Sequence, residues 1–166
     1  MKYIGNFAKN VPSIIVETLH NSKKKKHKFI ESDFLEPDTQ IWVNSGYNLS
    51  NVTWTSYDDE RYKNVINLPS CFGTVLEIWF TKLDPGDMIP AHQDVYTYSS
   101  SDNLDRYCMM LQDFEIGHVF VCDNTHLEGY KFGDTYKLDE SLSWHGACNI
   151  GLTPRLTMQI VSQKNR

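Results

Sequence analysis

The chain is short of the features that would place it in a membrane, a secreted scaffold or a thiolate metal centre. Its four cysteines, Cys71, Cys108, Cys122 and Cys148, include no CxxC pair, whereas a zinc knot or an iron–sulfur cluster is built from grouped thiolates. The N-terminus, Met1-Lys2-Tyr3-Ile4-Gly5-Asn6, lacks the apolar core of a secretory signal, and no run is long enough to span a bilayer. The cysteines therefore read as reduced, mostly buried thiols of a cytoplasmic protein. Positive charge is also scarce. Lys and Arg number 16 against 21 Asp and Glu, a net charge of −5, which argues against a general nucleic-acid-binding surface. No Ser/His/Asp or Cys/His arrangement stands out as a nucleophilic device, and no βαβ pattern recurs.

What is present is strand-like sequence rich in aromatics, 13 % of the 166 residues, enough for one domain with a proper core. Asn10 to Asn21 predicts an early helix, with Asn10 as cap, Pro12 in the first turn, and Ile14, Ile15, Thr18 and Leu19 as a partial apolar face. The run Ser22-Lys23-Lys24-Lys25-Lys26-His27-Lys28 reads as a solvated loop, with contact to phosphate or an acidic partner as the alternative. Thr39–Val43 and Asn51–Thr55 are candidate short strands. Trp42, Tyr47, Trp54 and Tyr57 either pack this extension or line an approach to a site.

From Thr74 the period becomes two. Val75–Phe80 predicts a strand, and Asp84-Pro85-Gly86-Asp87 a tight reversal. Met88–Asp94, Tyr107–Leu111, Gly117–Cys122, pieces near 127–130 and 135–138, a strand holding His145, and Leu156–Val161 follow. Tyr98 to Asn103 is a polar loop placed to act as a lid. Eight short strands at close spacing predict a mainly β fold with an N-terminal helix: a jelly-roll, or double-stranded β-helix. Residues 1–70 would form an extension and residues 71–166 the core of a single domain.

Pro90-Ala91-His92-Gln93-Asp94, Trp144-His145-Gly146 and Pro154-Arg155-Leu156 carry the chemistry. Residues i and i+2 of a strand share a face, so His92 and Asp94 can reach one ion while Gln93 points away. His145, distant in sequence, would complete two imidazoles and one carboxylate, the set that holds one face of a non-haem iron(II) and leaves the other open. Arg155 follows His145 by ten residues, in a strand apolar at several positions, where a buried arginine needs an anion.

With Leu83–Asp94, Arg106-Tyr107, Gly133-Asp134 and His145 through Arg155 in this order, the chain resembles the 2-oxoglutarate- and iron(II)-dependent dioxygenases over roughly residues 75–162. It is most similar to their aspartyl/asparaginyl β-hydroxylase and prolyl 4-hydroxylase-like branches. The resemblance implies that His92, Asp94 and His145 ligate Fe(II) and act with O2. It implies that Arg155 pairs bidentately with the distal carboxylate of 2-oxoglutarate, and that Arg106 resembles an arginine that helps bind this cosubstrate. It implies as substrate an amino-acid side chain, free or in a polypeptide. The alternatives are oxidation of a modified nucleobase and a cupin-like metal-binding module without catalysis.

The remaining residues divide more plainly. Arg106 has a second reading as a sheet-edge ion pair with Asp105 or Asp102. His20, His27, His118 and His126 read as surface or structural, with a pocket position as the alternative for His118, which alternates with Val119 and Val121 in a strand. Asn149 and Asp134 suit turns. Trp144 would point opposite to His145, toward packing.

Overall fold

The computed structural model describes residues 1–22, 52–56, 66–93, 103–138 and 143–163. Ten strands form two antiparallel sheets: β1 (Lys2–Asn6), β2 (Val52–Ser56), β3 (Thr74–Leu83), β4 (Met88–His92), β5 (Leu104–Met110), β6 (His118–Cys122), β7 (Thr125–His126), β8 (Asp134–Lys137), β9 (His145–Asn149) and β10 (Arg155–Gln163). The six-stranded sheet runs β1-β8-β5-β10-β3-β2 and the four-stranded sheet β4-β9-β6-β7. From β3 to β10 the chain passes repeatedly between the sheets, which is the winding of a double-stranded β-helix. The strands β1 and β2 extend the larger sheet at its two edges.

The central strand β10 shows how the sequence selects this arrangement. It pairs with β3 on one side and β5 on the other, and all its residues from Arg155 to Ser162 are buried. Alternation then sorts them between two faces. Leu156, Met158 and Ile160 join Ile78, Phe80, Tyr107 and Met109 in the outer cluster, where helix α1 (Ser13–His20) packs through Ile15 and Leu19. Arg155, Thr157 and Gln159 take the opposite face and line a cavity. The polar face of β10 is thus turned inward. In most two-faced strands it would meet water, and here it needs an occupant of its own chemistry.

Helix α1 covers the outer face because Ile15 and Leu19, four apart, fall on one side and are fully buried. Each contributes about 1.5–3 kcal/mol of burial. Ile14 faces solvent instead, 52 % exposed. The helix ends where Lys82 Nζ donates to the carbonyls of His20 (2.7 Å) and Ser22 (3.1 Å), a cation placed against the negative end of the helix dipole. Pro12, not Asn10, occupies the N-cap. Asn10 lies in a 3-10 turn of residues 8–10 and its side-chain amide donates to Asn67 O at 2.7 Å.

The reversal at Asp84–Asp87 forms as its sequence predicts, with Asp87 N bonded to Asp84 O (2.9 Å) and Gly86 at φ +90°. The seventh strand falls at Thr125–His126, ahead of the expected 127–130. All four cysteines are free thiols. No helix among the described residues is long and apolar enough to cross a membrane. The lysine run 23–28, the candidate strand 39–43 and the lid residues 98–102 lie outside the described residues, as do the side chains of Trp42, Tyr47, Trp54 and Tyr57.

Candidate functional site

His92 closes β4 and His145 opens β9, and the two stand directly opposite each other in antiparallel register. Their ring centroids are 4.2 Å apart with the planes inclined at 55°. The register shifts between Ile89 and His92, where Pro90 sits. β4 is an edge strand, and an edge or a bulge is where a strand tolerates a residue without an N–H. The irregularity brings His92 onto His145.

Each imidazole is oriented in the same way. His92 Nδ1 lies 2.8 Å from Pro90 O and His145 Nδ1 lies 2.9 Å from Ser143 O, in both cases the carbonyl two residues earlier. A carbonyl oxygen only accepts, so Nδ1 carries the proton and Nε2 the lone pair. Arg106 Nη1, which only donates, is 3.1 Å from His145 Nε2, independently requiring the same tautomer. Burial first, then the charges of Arg106 and His92, push the His145 imidazolium pKa down to about 2. His145 is therefore neutral, the form in which imidazole ligates metals.

Arg106 and Arg155 put two guanidinium groups in this cavity, which Thr157, Gln159, Trp79 and Phe120 also line. Its non-atom space, counted together with the open solvent at its mouth, is about 330 Å³. Arg106 is 5 % exposed and lies 5.7 Å from the Trp79 ring centroid. Burial lowers its pKa to about 10, so it stays charged at neutral pH. Asp105, its neighbour on the opposite face, instead pairs with Lys137 at 2.8 Å. Arg155 is 2 % exposed, 5.4 Å from the centroid of Phe120, and its Nε and Nη2 have no hydrogen bond of normal geometry among the described residues. The buried hydroxyl of Tyr130 lies beside it, likewise without one of normal geometry. Burial raises that phenol's pKa, and the charge of Arg155 and a side-chain contact with it act against the rise.

A buried guanidinium with idle donors is costly unless an anion joins it. The cavity therefore offers two positive charges and two imidazoles on facing strands, that of His145 accepting from Arg106 through Nε2. These residues fit a divalent metal beside a small carboxylate ligand. Asp94, the expected third ligand, lies outside the described residues, and the described residues alone contain no cluster of three His, Cys, Asp or Glu.

Thr157, Gln159 and Trp79, which line the cavity, and Tyr130, which lies beside Arg155, are residues that sequence reasoning passed over. The signal for the first two was present, since they follow Arg155 at i+2 and i+4 on one strand. His118 takes a structural place, buried and bonded to Thr153 O at 3.0 Å, and is not among the residues lining the cavity. One expectation is corrected. Trp144 does point away from His145, but into solvent, 53 % exposed. Asn149 holds the turn before β10, donating to Leu83 O and Thr153 O and accepting from Gly151 N. Asp134 likewise anchors a turn, accepting from Lys131 N and Asn6 Nδ2.

No protein-family model and no curated protein matches the chain. Among solved structures it is similar to a predicted oxalate decarboxylase from Thermotoga maritima, at 16 % identity over 68 % of this chain and 81 % of that one, with a TM-score of 0.44. It is similar to the Schizosaccharomyces pombe Cnp3 cupin domain at 10 % identity over 69 % and 66 %, TM-score 0.44. A salicylate 1,2-dioxygenase from Pseudoaminobacter salicylatoxidans matches at 10 % identity over 75 % and 31 %, TM-score 0.45. The architecture itself rests on strand order and register: an antiparallel double-stranded β-helix with a short N-terminal helix.

Proposed function

We propose that the protein is an Fe(II)- and 2-oxoglutarate-dependent hydroxylase of an amino-acid side chain, free or within a polypeptide. The observation that carries this reading is Arg155. Its buried Nε and Nη2 lack partners in the same cavity that receives His92 and His145. A retired metal site has no need for a buried carboxylate-binding group.

His92, His145 and Asp94 would hold the iron, which supplies the redox chemistry when bound. The balanced reaction converts 2-oxoglutarate, O2 and a C–H bond to succinate, CO2 and a C–OH group. Arg155 presents a planar fork to the carboxylate of the keto acid remote from the metal. Arg106 supplies the second positive charge that a dianionic cosubstrate calls for. Its Nη1 now donates to His145 Nε2, and with that nitrogen given to a metal the same donor would be available to an anion. The apolar walls from Phe120, Ile89 and Trp79 exclude water, which protects a reactive site from side reactions. No side chain is needed as a nucleophile.

Coupled succinate production, screened over free amino acids, peptides and oligonucleotides, tests the proposal. Succinate released with an amino-acid or peptide substrate supports it. Coupling to oligonucleotides alone would assign the site to nucleobase oxidation instead.

A further inference from the structure

Beside the turn that leads into β10 runs a chain of polar side chains that the proposed reaction does not use. Leu156 N donates to Gln112 Oε1 at 2.7 Å, which fixes the orientation of that amide. Gln112 Nε2 then faces His118 Nδ1 at 3.4 Å, and His118 Nε2 lies 3.0 Å from Thr153 O. The carbonyl requires the proton on Nε2, so Nδ1 has the lone pair that receives Gln112. His118 thus holds the tautomer opposite to that of His92 and His145, which suits a structural relay and not a metal ligand.

The chain of bonds begins at residue 156 and ends at residue 153, gripping the backbone on both sides of Arg155. Asn149 Nδ2 adds a second bond to Thr153 O at 2.7 Å. The turn is also pressed close to the start of β6, since a Cβ on Gly117 (φ +98°) would fall 2.4 Å from Gly151 N. Meanwhile the guanidinium Nε and Nη2 have no hydrogen bond of normal geometry among the described residues. Its placement therefore depends strongly on its backbone and on packing.

We infer that Gln112 and His118 are positioning residues for Arg155, clamping its backbone so that the guanidinium is preorganised for a carboxylate ligand. The inference rests on the proposed function for the identity of that ligand, 2-oxoglutarate. Preorganisation saves ordering cost at the moment of binding, and displacement of a supporting residue is felt at the ligand. His118 is 1 % exposed, and its replacement endangers the fold. Gln112 is only half-buried, so it is the residue to vary.

The test compares wild type, Gln112→Met, which removes donor and acceptor at similar length, and Gln112→Glu, which keeps the acceptor for Leu156 N. Two quantities are read in each: the dissociation constant for 2-oxoglutarate with Mn(II) replacing iron, and the 15N relaxation of the Arg155 Nε–H group without ligand. Gln112→Met should weaken 2-oxoglutarate about tenfold, the size of one lost hydrogen bond carried into binding. It should loosen Arg155 Nε–H and leave Mn(II) affinity alone, while Gln112→Glu, which keeps the bond to Leu156 N and loses the one to His118, should fall between wild type and Gln112→Met. Unchanged 2-oxoglutarate affinity with unchanged Arg155 relaxation, or equal losses of metal and keto acid, would overturn the clamp. If wild type binds no 2-oxoglutarate, the proposed function fails, and Arg155 relaxation alone decides the clamp: looser in Gln112→Met upholds it, unchanged refutes it.

Discussion

His92 and His145 face each other across β4 and β9 with matching hydrogen bonds, each Nδ1 held by the carbonyl two residues before it. The symmetry leaves two Nε2 lone pairs in one cavity, and orientation of this kind tunes and steadies metal-ligating histidines.

Replacing either histidine by alanine is therefore expected to abolish stoichiometric metal binding, read as loss of the Co(II) visible spectrum on titration. His145→Ala also removes the acceptor of Arg106 Nη1. It should cost about 1–3 kcal/mol of stability in the metal-free chain. Tight Co(II) binding by both variants would remove the site from this pair of strands.

Arg155 predicts opposite effects on stability and binding. Because its buried Nε and Nη2 are unpartnered, Arg155→Met should raise the melting temperature of the ligand-free protein, as buried charges replaced by apolar groups of similar size often do. The same variant should weaken 2-oxoglutarate by about 2–5 kcal/mol and leave metal affinity intact. Arg155→Lys should fall between, retaining charge without the fork. A lower melting temperature in Arg155→Met would mean the guanidinium is satisfied without a ligand.

The acid stability of the metal-free chain follows from His145. Its folded pKa of about 2 lies below the ordinary 6.5, so the unfolded chain takes up a proton that the folded chain refuses. The sign is then fixed: stability is full above about pH 6.5 and falls as pH drops below it, by at most ~1.4 kcal/mol per pH unit for this group. Urea midpoints between pH 7.5 and 5.5 measure the slope. His145→Gln should flatten the average slope over this range by about half a proton, and an unchanged slope would contradict a buried neutral imidazole.

Much of this was readable in residue order, and the reasons for the exceptions are physical. A period of two exposes core strands in any sequence, so β3, β5, β6 and β10 were legible, as was the tight turn at Pro85-Gly86. Strand β1 was not, because Lys2 to Asn6 is mostly exposed and is stabilised by pairing with β8, more than a hundred residues away. Asn10 looked like a helix cap, but a partner 57 residues on claimed its amide, a long-range choice that local pattern does not contain. His118 alternates with apolar neighbours just as a pocket residue would. Only the turn carrying Thr153, packed behind the barrel, distinguishes relay from ligand. Thr157 and Gln159 were passed over because neither residue type marks a site by itself, and only their shared face with Arg155 places them in the cavity.

Helix α1 should be separable from the site. Leu19→Ala removes a fully buried side chain from the outer cluster and should cost about 2–5 kcal/mol, read by urea denaturation. Metal affinity should not change, since the cavity lies on the other face of the large sheet. A parallel loss of metal binding would show that the two faces are coupled.

The central claim is that one cavity holds both a metal and a keto acid. Mixing the protein with iron(II) and 2-oxoglutarate in the absence of oxygen tests it most directly. A weak visible charge-transfer band that disappears in His145→Ala and needs far more 2-oxoglutarate in Arg155→Ala is the predicted result. Wild-type protein that shows no band at saturating iron and keto acid would contradict the account.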